Sequence, residues 1–237
     1  MRQEKASAII AGASGLVGDE LLHQLLACEH FNIVYSLSRR ELPFHSKNLT
    51  QIVHPELRVT TWNETDHTPT YGYICLGTTT KQAGSSKDLE AIDYQLVKDV
   101  ANTMHLLGVK NITVVSSFGA HPWSPSHYLR CKGKMEQALS KMGFARCTFV
   151  RPGPLTGERS KPRKDEIIVQ RLFEIIHPLM MGPLGNLEPI PAEDVARNML
   201  TLSLEPEYTD SKKTQAISGK ALKRKKSSHK NDKNKSA

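Results

Sequence analysis

The feature that most constrains this chain is a glycine-punctuated turn between an apolar run and a helical stripe near the amino terminus. Ser7-Ala8-Ile9-Ile10-Ala11 has the pattern of a short buried strand, Gly12-Ala13-Ser14-Gly15-Leu16-Val17-Gly18 follows it, and Leu16, Leu21, Leu22, Leu25 and Leu26 then recur at helical spacing. A strand that turns through glycines straight into a helix predicts a βαβ unit. The glycines permit a tight turn, a backbone that approaches a pyrophosphate, and close packing of helix on strand. The helix N-terminus adds partial positive charge that favours phosphate. Gly12, Ser14, Gly15, Leu16, Val17 and Gly18 are therefore candidate dinucleotide contacts.

The rest of the chain repeats this alternation. Ile33–Leu37, Leu57–Trp62, Tyr73–Leu76, Ile112–Val115 and Arg146–Val150 read as a second to sixth strand, with helices expected over Asp88–Leu107 and Tyr128–Met142. Asn63–Tyr71 is too short and too polar for a full crossover helix and is expected to be a loop. Beyond Arg151 come Pro- and Gly-rich loops around an amphipathic stretch at Glu166–Ile176, then Ile190-Pro191 and a last helix near Ala192–Leu204. The expected fold is α/β: a Rossmann-type, doubly wound, mostly parallel sheet with a small C-terminal substrate-side cap. It predicts one domain over 1–210, with the cap in 151–210.

The formal charge of +8 is unevenly spread. Ser211–Ala237 holds ten of the 32 basic residues and one of the 24 acids, so Met1–Asp210 keeps 22 and 23 and is nearly neutral. This excludes a chain-wide polyanion-binding design, and specific nucleic-acid binding is not expected. The segment 211–237 reads as a disordered basic tail, able at most to make weak, salt-sensitive polyanion contacts, because no aromatic residue is interleaved. Leu222-Lys223-Arg224-Lys225-Lys226 within it resembles a localisation patch. The four cysteines lack CxxC pairing and the ten histidines lack helical ligand spacing, so neither a disulfide framework nor a metal site is expected. Every apolar run is interrupted well before the ~18 residues of a membrane span. A cytoplasmic protein with no membrane contact is the expectation.

Three further groups of residues carry chemistry. Ser38-Arg39-Arg40 ends the second strand, where an acid would bind the ribose hydroxyl of NAD and a guanidinium suits the 2′-phosphate of NADP. Arg39 and Arg40 thus favour NADP(H) over NAD(H). Leu76, Gly77, Thr78 and Thr79 follow the fourth strand at its carboxyl end, where open α/β sheets bind ligands. Ser116 and Ser117 close the fifth strand, and Tyr128 and Lys132 stand i and i+4 on one helical face. A lysine ammonium beside a phenol lowers its pKa from ~10 toward a value useful for acid/base work. Cys131 between them is either a reactive thiol or a packing residue, and packing is the favoured reading.

The order GASGLVG, LSRR, CLGTT, VVSSFGA, YLRCKGKME and VRPGPLTG, with IPAEDVA late in the chain, resembles the atypical short-chain dehydrogenase/reductase superfamily. It is most similar to the branch containing the Tat-interacting oxidoreductase and its small bacterial relatives, over roughly Ala6–Leu204. The resemblance implies NADPH over the glycine turn, Tyr128 as general acid/base and Lys132 on the nicotinamide ribose. Ser117 would orient the substrate, with Ser116 as the alternative, and Arg151, Pro152 and Gly153 would pass beside the nicotinamide. The expected activity is hydride transfer to or from a small carbonyl or alcohol. The rival is an NADPH-sensing binding or regulatory protein with little turnover. A sugar-nucleotide epimerase or dehydratase is disfavoured by the short chain after Arg151. Many relatives carry an adenine-contacting acid after the third strand, where this reading puts Trp62-Asn63-Glu64, so the adenine contact stays unassigned.

Overall fold

Apolar runs spaced one crossover apart in the sequence become neighbours in a single parallel sheet. The computed structural model describes residues 5–63, 67–78, 84–156, 189–204 and 214–218. Along the chain come β1 (Ala6–Ala11), α1 (Leu16–Ala27), β2 (Phe31–Ser38), β3 (Leu49–Val53) and β4 (Tyr71–Ile74). Next are α2 (Ser86–Glu90), a π-helical turn (Ala91–Leu96), α3 (Val97–Leu106), β5 (Asn111–Val115), α4 (His127–Leu139) and β6 (Arg146–Arg151). The last elements are β7 (Leu155–Thr156), β8 (Ile190–Pro191), α5 (Ala192–Leu204) and β9 (Thr214–Ser218). Seven strands form one sheet in the order β3-β2-β1-β4-β5-β6-β9, each pair parallel, while β7 and β8 pair separately. This is the doubly wound architecture expected from the sequence.

The two faces of β1 explain its unbroken apolar pattern. Ala8 and Ile10 pack with Leu21, Leu22 and Leu25 of α1 and Val195 and Met199 of α5, whereas Ile9 and Ala11 pack with Val97, Val100 and Met104 of α3 and Met135 of α4. A strand covered on both sides has no solvent-facing register, so alternation disappears. The strand order reverses between β1 and β4, which makes the crevice at their carboxyl ends the ligand-binding position of such sheets. Both the glycine turn and the loop after β4 open there.

Two expectations are corrected. The third strand is Leu49–Val53, paired from Val34↔Leu49 to Ser38↔Val53, and not Leu57–Trp62. Leu57 has a φ of 55°, incompatible with a strand, and the alternation beyond it comes from a coil laid on the sheet face. Leu57 is buried there, Val59 and Trp62 pack alongside, and the Trp62 ring lies 4.8 Å from that of Tyr35. The second correction concerns 211–237, within which Thr214–Ser218 forms β9 against β6. The sheet therefore takes in part of the segment read as a disordered tail, beyond the boundary placed at 210. The described part of 63–71 before β4 is irregular, as expected, and α5 covers the residues anticipated for the last helix. Thr79, the stretch at Glu166–Ile176 and the basic residues after 218 lie outside the described residues.

Candidate active site

At the glycine turn, the geometry depends on missing side chains. Gly12 has a φ of 91°, and a Cβ there would lie 2.7 Å from the Cys75 carbonyl carbon and oxygen. A Cβ on Gly18 would lie 2.0 Å from the Gly12 oxygen. The turn is thus wedged between the end of β4 and the first turn of α1. Gly15 caps α1 without a side chain, its own N–H donating to the Gly12 carbonyl at 3.0 Å. Val17 and Gly18 are buried, Leu16 is half-buried and Ser14 is exposed, so the turn can offer a ligand backbone N–H groups and the Ser14 hydroxyl. Side-chain-free backbone at a helix N-terminus fits a pyrophosphate.

Beyond β2, Arg39 and Arg40 are exposed. The Ser38 hydroxyl donates to the Arg40 carbonyl at 2.7 Å, and the His54 N–H donates to the Ser38 carbonyl at 2.9 Å. With β3 ending at Val53, the residue following the third strand is His54 and not Trp62-Asn63, and Glu64 lies outside the described residues. The His54 Nδ1 accepts the Glu56 and Arg58 N–H groups at 3.2 and 3.3 Å, which leaves Nε2 as the protonated nitrogen of the neutral ring.

Across the crevice, α4 begins at the Ser126 cap, with Tyr128 half-buried and Lys132 buried on its inner face. The Lys132 Nζ lies 2.7 Å from Oδ1 of Asp93, itself fully buried in the π-helical turn. The other Asp93 oxygen accepts the Thr78 N–H at 3.0 Å. Burial opposes the charged form of Lys132, but Asp93 first, then Tyr128 and Glu136, outweigh it and hold the ammonium above the ordinary lysine range. Leu76 and Gly77 run directly over this pair: a Cβ on Gly77 would lie 3.3 Å from Lys132 Nζ and 3.2 Å from Asp93 Oδ1.

A second buried carboxylate separates the two serines. The Ser116 hydroxyl donates to Glu136 Oε1, and Arg151 donates to both Glu136 oxygens, its Nε lying 2.8 Å from Oε1. Ser117 is half-buried, and among the described residues its hydroxyl donates at 3.5 Å to the Phe118 carbonyl. Ser116 and Arg151 are thus engaged with Glu136, and Ser117 is not. Pro152 is buried and its carbonyl accepts the Phe118 N–H at 2.9 Å, which ties the loop holding Gly153 to the loop after β5. Cys131 is buried, and burial followed by the Glu90 charge pushes its thiol up, away from the reactive thiolate.

Asp93, Glu136 and Gly133 are absent from the sequence-derived candidates. Asp93 falls within the apolar stripe that includes Leu89 and Val100, and a lone acid in a buried stripe is a readable signal. Glu136 continues the Tyr128–Lys132 spacing by four residues and so shares their face. A Cβ on Gly133 would lie 2.2 Å from the His121 carbonyl carbon, which shows how tightly α4 packs on the loop after β5. Among the described residues there is no group of three metal-ligating side chains and no helix long and apolar enough to cross a membrane.

The family model described as HIM1 matches residues 71–180. "Protein FMP52, mitochondrial" of Debaryomyces hansenii is 31% identical over 84% of this chain and 88% of its own length. "Protein HTATIP2" of Rattus norvegicus is 30% identical over 73% of this chain and 72% of its own. Among solved structures, MoeE5 in complex with UDP-glucose and NAD superposes with a TM-score of 0.62 at 15% identity, covering 90% of this chain and 75% of that one. A short chain dehydrogenase family protein from Francisella tularensis gives 0.62 at 12% identity, covering 93% and 100%. The mitochondrial names of the fungal relatives overturn the expectation of a cytoplasmic protein, which rested on the interruption of every apolar run in the sequence. With this degree of likeness over most of its length, and with the glycine turn and the Tyr128–Lys132 helix facing one crevice, the chain belongs to the atypical short-chain dehydrogenase/reductase superfamily, in its Tat-interacting-protein-like branch.

Proposed function

We propose that this protein is an NADPH-dependent oxidoreductase acting on a small carbonyl or alcohol. The observation that carries the reading is that Tyr128 and Lys132 stand on the inner face of α4, with Lys132 directly beneath the Gly77 loop of the crevice onto which the glycine turn opens. A bound nicotinamide supplies the hydride or accepts it. The backbone of Gly12–Gly18, with the Ser14 hydroxyl, binds the pyrophosphate; Arg39 and Arg40 face the 2′-phosphate; Leu76, Gly77 and Thr78 line the path between. The Ser117 hydroxyl holds the substrate oxygen. Tyr128 delivers the proton to that oxygen in reduction and removes it in oxidation, with Lys132 one turn further along the same face of α4.

The test is consumption of NADPH by the purified protein against a panel of aldehydes, ketones and quinones. Tyr128→Phe is expected to lower the rate by about 100-fold or more. A rate equal to wild type ends the assignment of that tyrosine. Arg39→Ala is expected to weaken NADPH about tenfold and leave NADH unchanged; equal effects on both would remove the 2′-phosphate argument. The commitment of Lys132 to Asp93 favours a second reading, a protein that binds NADPH to change its partner contacts, since an ammonium paired with a buried carboxylate presents little net charge to a reacting group. Tight NADPH binding without consumption across the panel is the signature of that reading.

A further inference from the structure

The roles assigned so far leave out a fully buried carboxylate that touches two of the site's parts at once. Asp93 lies in the π-helical turn between α2 and α3, in line with Leu89 and Val97, which are both fully buried. Burying a charge costs several kcal/mol unless it is well paired, and an apolar side chain here would cost nothing of that kind. Its two oxygens point to different partners. Oδ1 meets the Lys132 ammonium from α4, and Oδ2 meets the Thr78 N–H from the loop after β4. A π-helical turn interrupts the regular helix at the very residue that makes both contacts, a placement frequent at functional sites.

We propose that Asp93 is a positioning residue that sets Lys132 and the Gly77–Thr78 loop as one unit. This rests on the reading that both face the cofactor. The ammonium is otherwise faced by Tyr128 and Glu136 from its own helix, by the Val115 carbonyl at 3.5 Å from β5, and by the Cys75 thiol at the end of β4. Cys75 is held neutral by burial, which pushes its thiol up to about 12. Asp93 is thus the neighbour whose charge keeps the buried ammonium protonated, while its second oxygen fixes how far the loop stands above it. A purely structural acid would need only the first of these contacts.

The experiment compares the full chain with Asp93→Asn, which keeps an oxygen for Thr78 and removes the charge, and Asp93→Leu, which removes both. In lysine-labelled protein followed by NMR, wild-type Lys132 is expected to stay protonated beyond the ordinary lysine value. Both variants should release its proton about one pH unit or more lower. Amide exchange at Thr78 should be unchanged in Asp93→Asn and about tenfold faster or more in Asp93→Leu, with NADPH binding weakened by a similar factor in the latter. A merely structural role would move thermal stability without moving the Lys132 titration or separating the two variants at Thr78. Overturning results are an unshifted Lys132 titration in the variants, equal Thr78 exchange in both, or, should the variants not fold, a wild-type Lys132 that titrates below the ordinary lysine value. Should wild type bind no NADPH, the cofactor reading fails by itself, and Lys132 and Thr78 still decide the role of Asp93.

Discussion

The two sides of the crevice build their parts of the site from opposite materials. On the β1 side the site is backbone, shaped by absent side chains at Gly12 and Gly18 and by a helix start without a side-chain cap. On the β5–β6 side it is charge: Asp93 against Lys132, and Glu136 against Ser116 and Arg151, with Lys132, Asp93 and Glu136 all buried. A backbone site is intolerant of added volume and has no group whose titration can change it. A site of buried ions tolerates modest changes of shape, but removing one partner leaves the other uncompensated.

The largest effect expected from this contrast is at Gly18. Gly18→Val places atoms where even a Cβ would stand 2.0 Å from a backbone oxygen, so α1 must move off the turn. A loss of about 3 kcal/mol in urea unfolding is expected, together with loss of NADPH binding by fluorescence titration. If Gly18→Val kept both, the β1 side would not be a close-packed backbone site. Next in size is Glu136→Gln, which keeps the side-chain volume, removes the charge and turns one of the two oxygens that accept from Ser116 and Arg151 into a donor. Because the Arg151 side chain is 27% exposed and Glu136 only 8%, part of the penalty is relieved by water, and about 2 kcal/mol is expected in the same measurement. A stability equal to wild type would mean that shape, not charge, holds the β5–β6 side together.

The same contrast explains what was legible in the sequence. The glycine turn, the strand ends and the Tyr128–Lys132 pair are local patterns, and the structure sets Gly12 against the end of β4 and Gly77 and Thr78 against Lys132 and Asp93. The ion pairs join residues on different elements, so no window of sequence contains both Asp93 and Lys132, although each carried a one-sided signal as an acid or a base on a buried helical face. The third strand was misplaced for a related reason. Leu57–Trp62 alternates because one side of it lies on the sheet, and alternation reports one-sided burial without saying that a strand causes it. Leu49–Val53, at the sheet edge and mixed in burial, shows no such pattern. In β9, Thr214–Ser218 sits beside a run of lysines, so composition averaged over 211–237 concealed a strand that pairing with β6 makes clear.

The smallest predicted effect separates that strand from the charge around it. Truncation after Ser218 removes eight basic residues and one acid, lowering the formal charge from +8 to +1, while leaving β9 in place. Truncation after Lys213 also removes β9, which pairs with β6 from Cys147↔Thr214 to Arg151↔Ser218, donates from Gln215 Nε2 to the Thr148 hydroxyl at 3.1 Å, and packs Ile217 on the core. The first truncation should leave the unfolding midpoint and NADPH binding unchanged. The second should cost about 1–2 kcal/mol, or a few degrees in Tm, since β9 contributes one edge strand with a single well-packed aliphatic side chain. Because β9 ends opposite Arg151, the longer truncation should also loosen the Glu136–Arg151 pair and make Glu136→Gln less costly in its background. Equal midpoints for the two truncations would put the sheet's functional edge at β6 and return the domain boundary to 210.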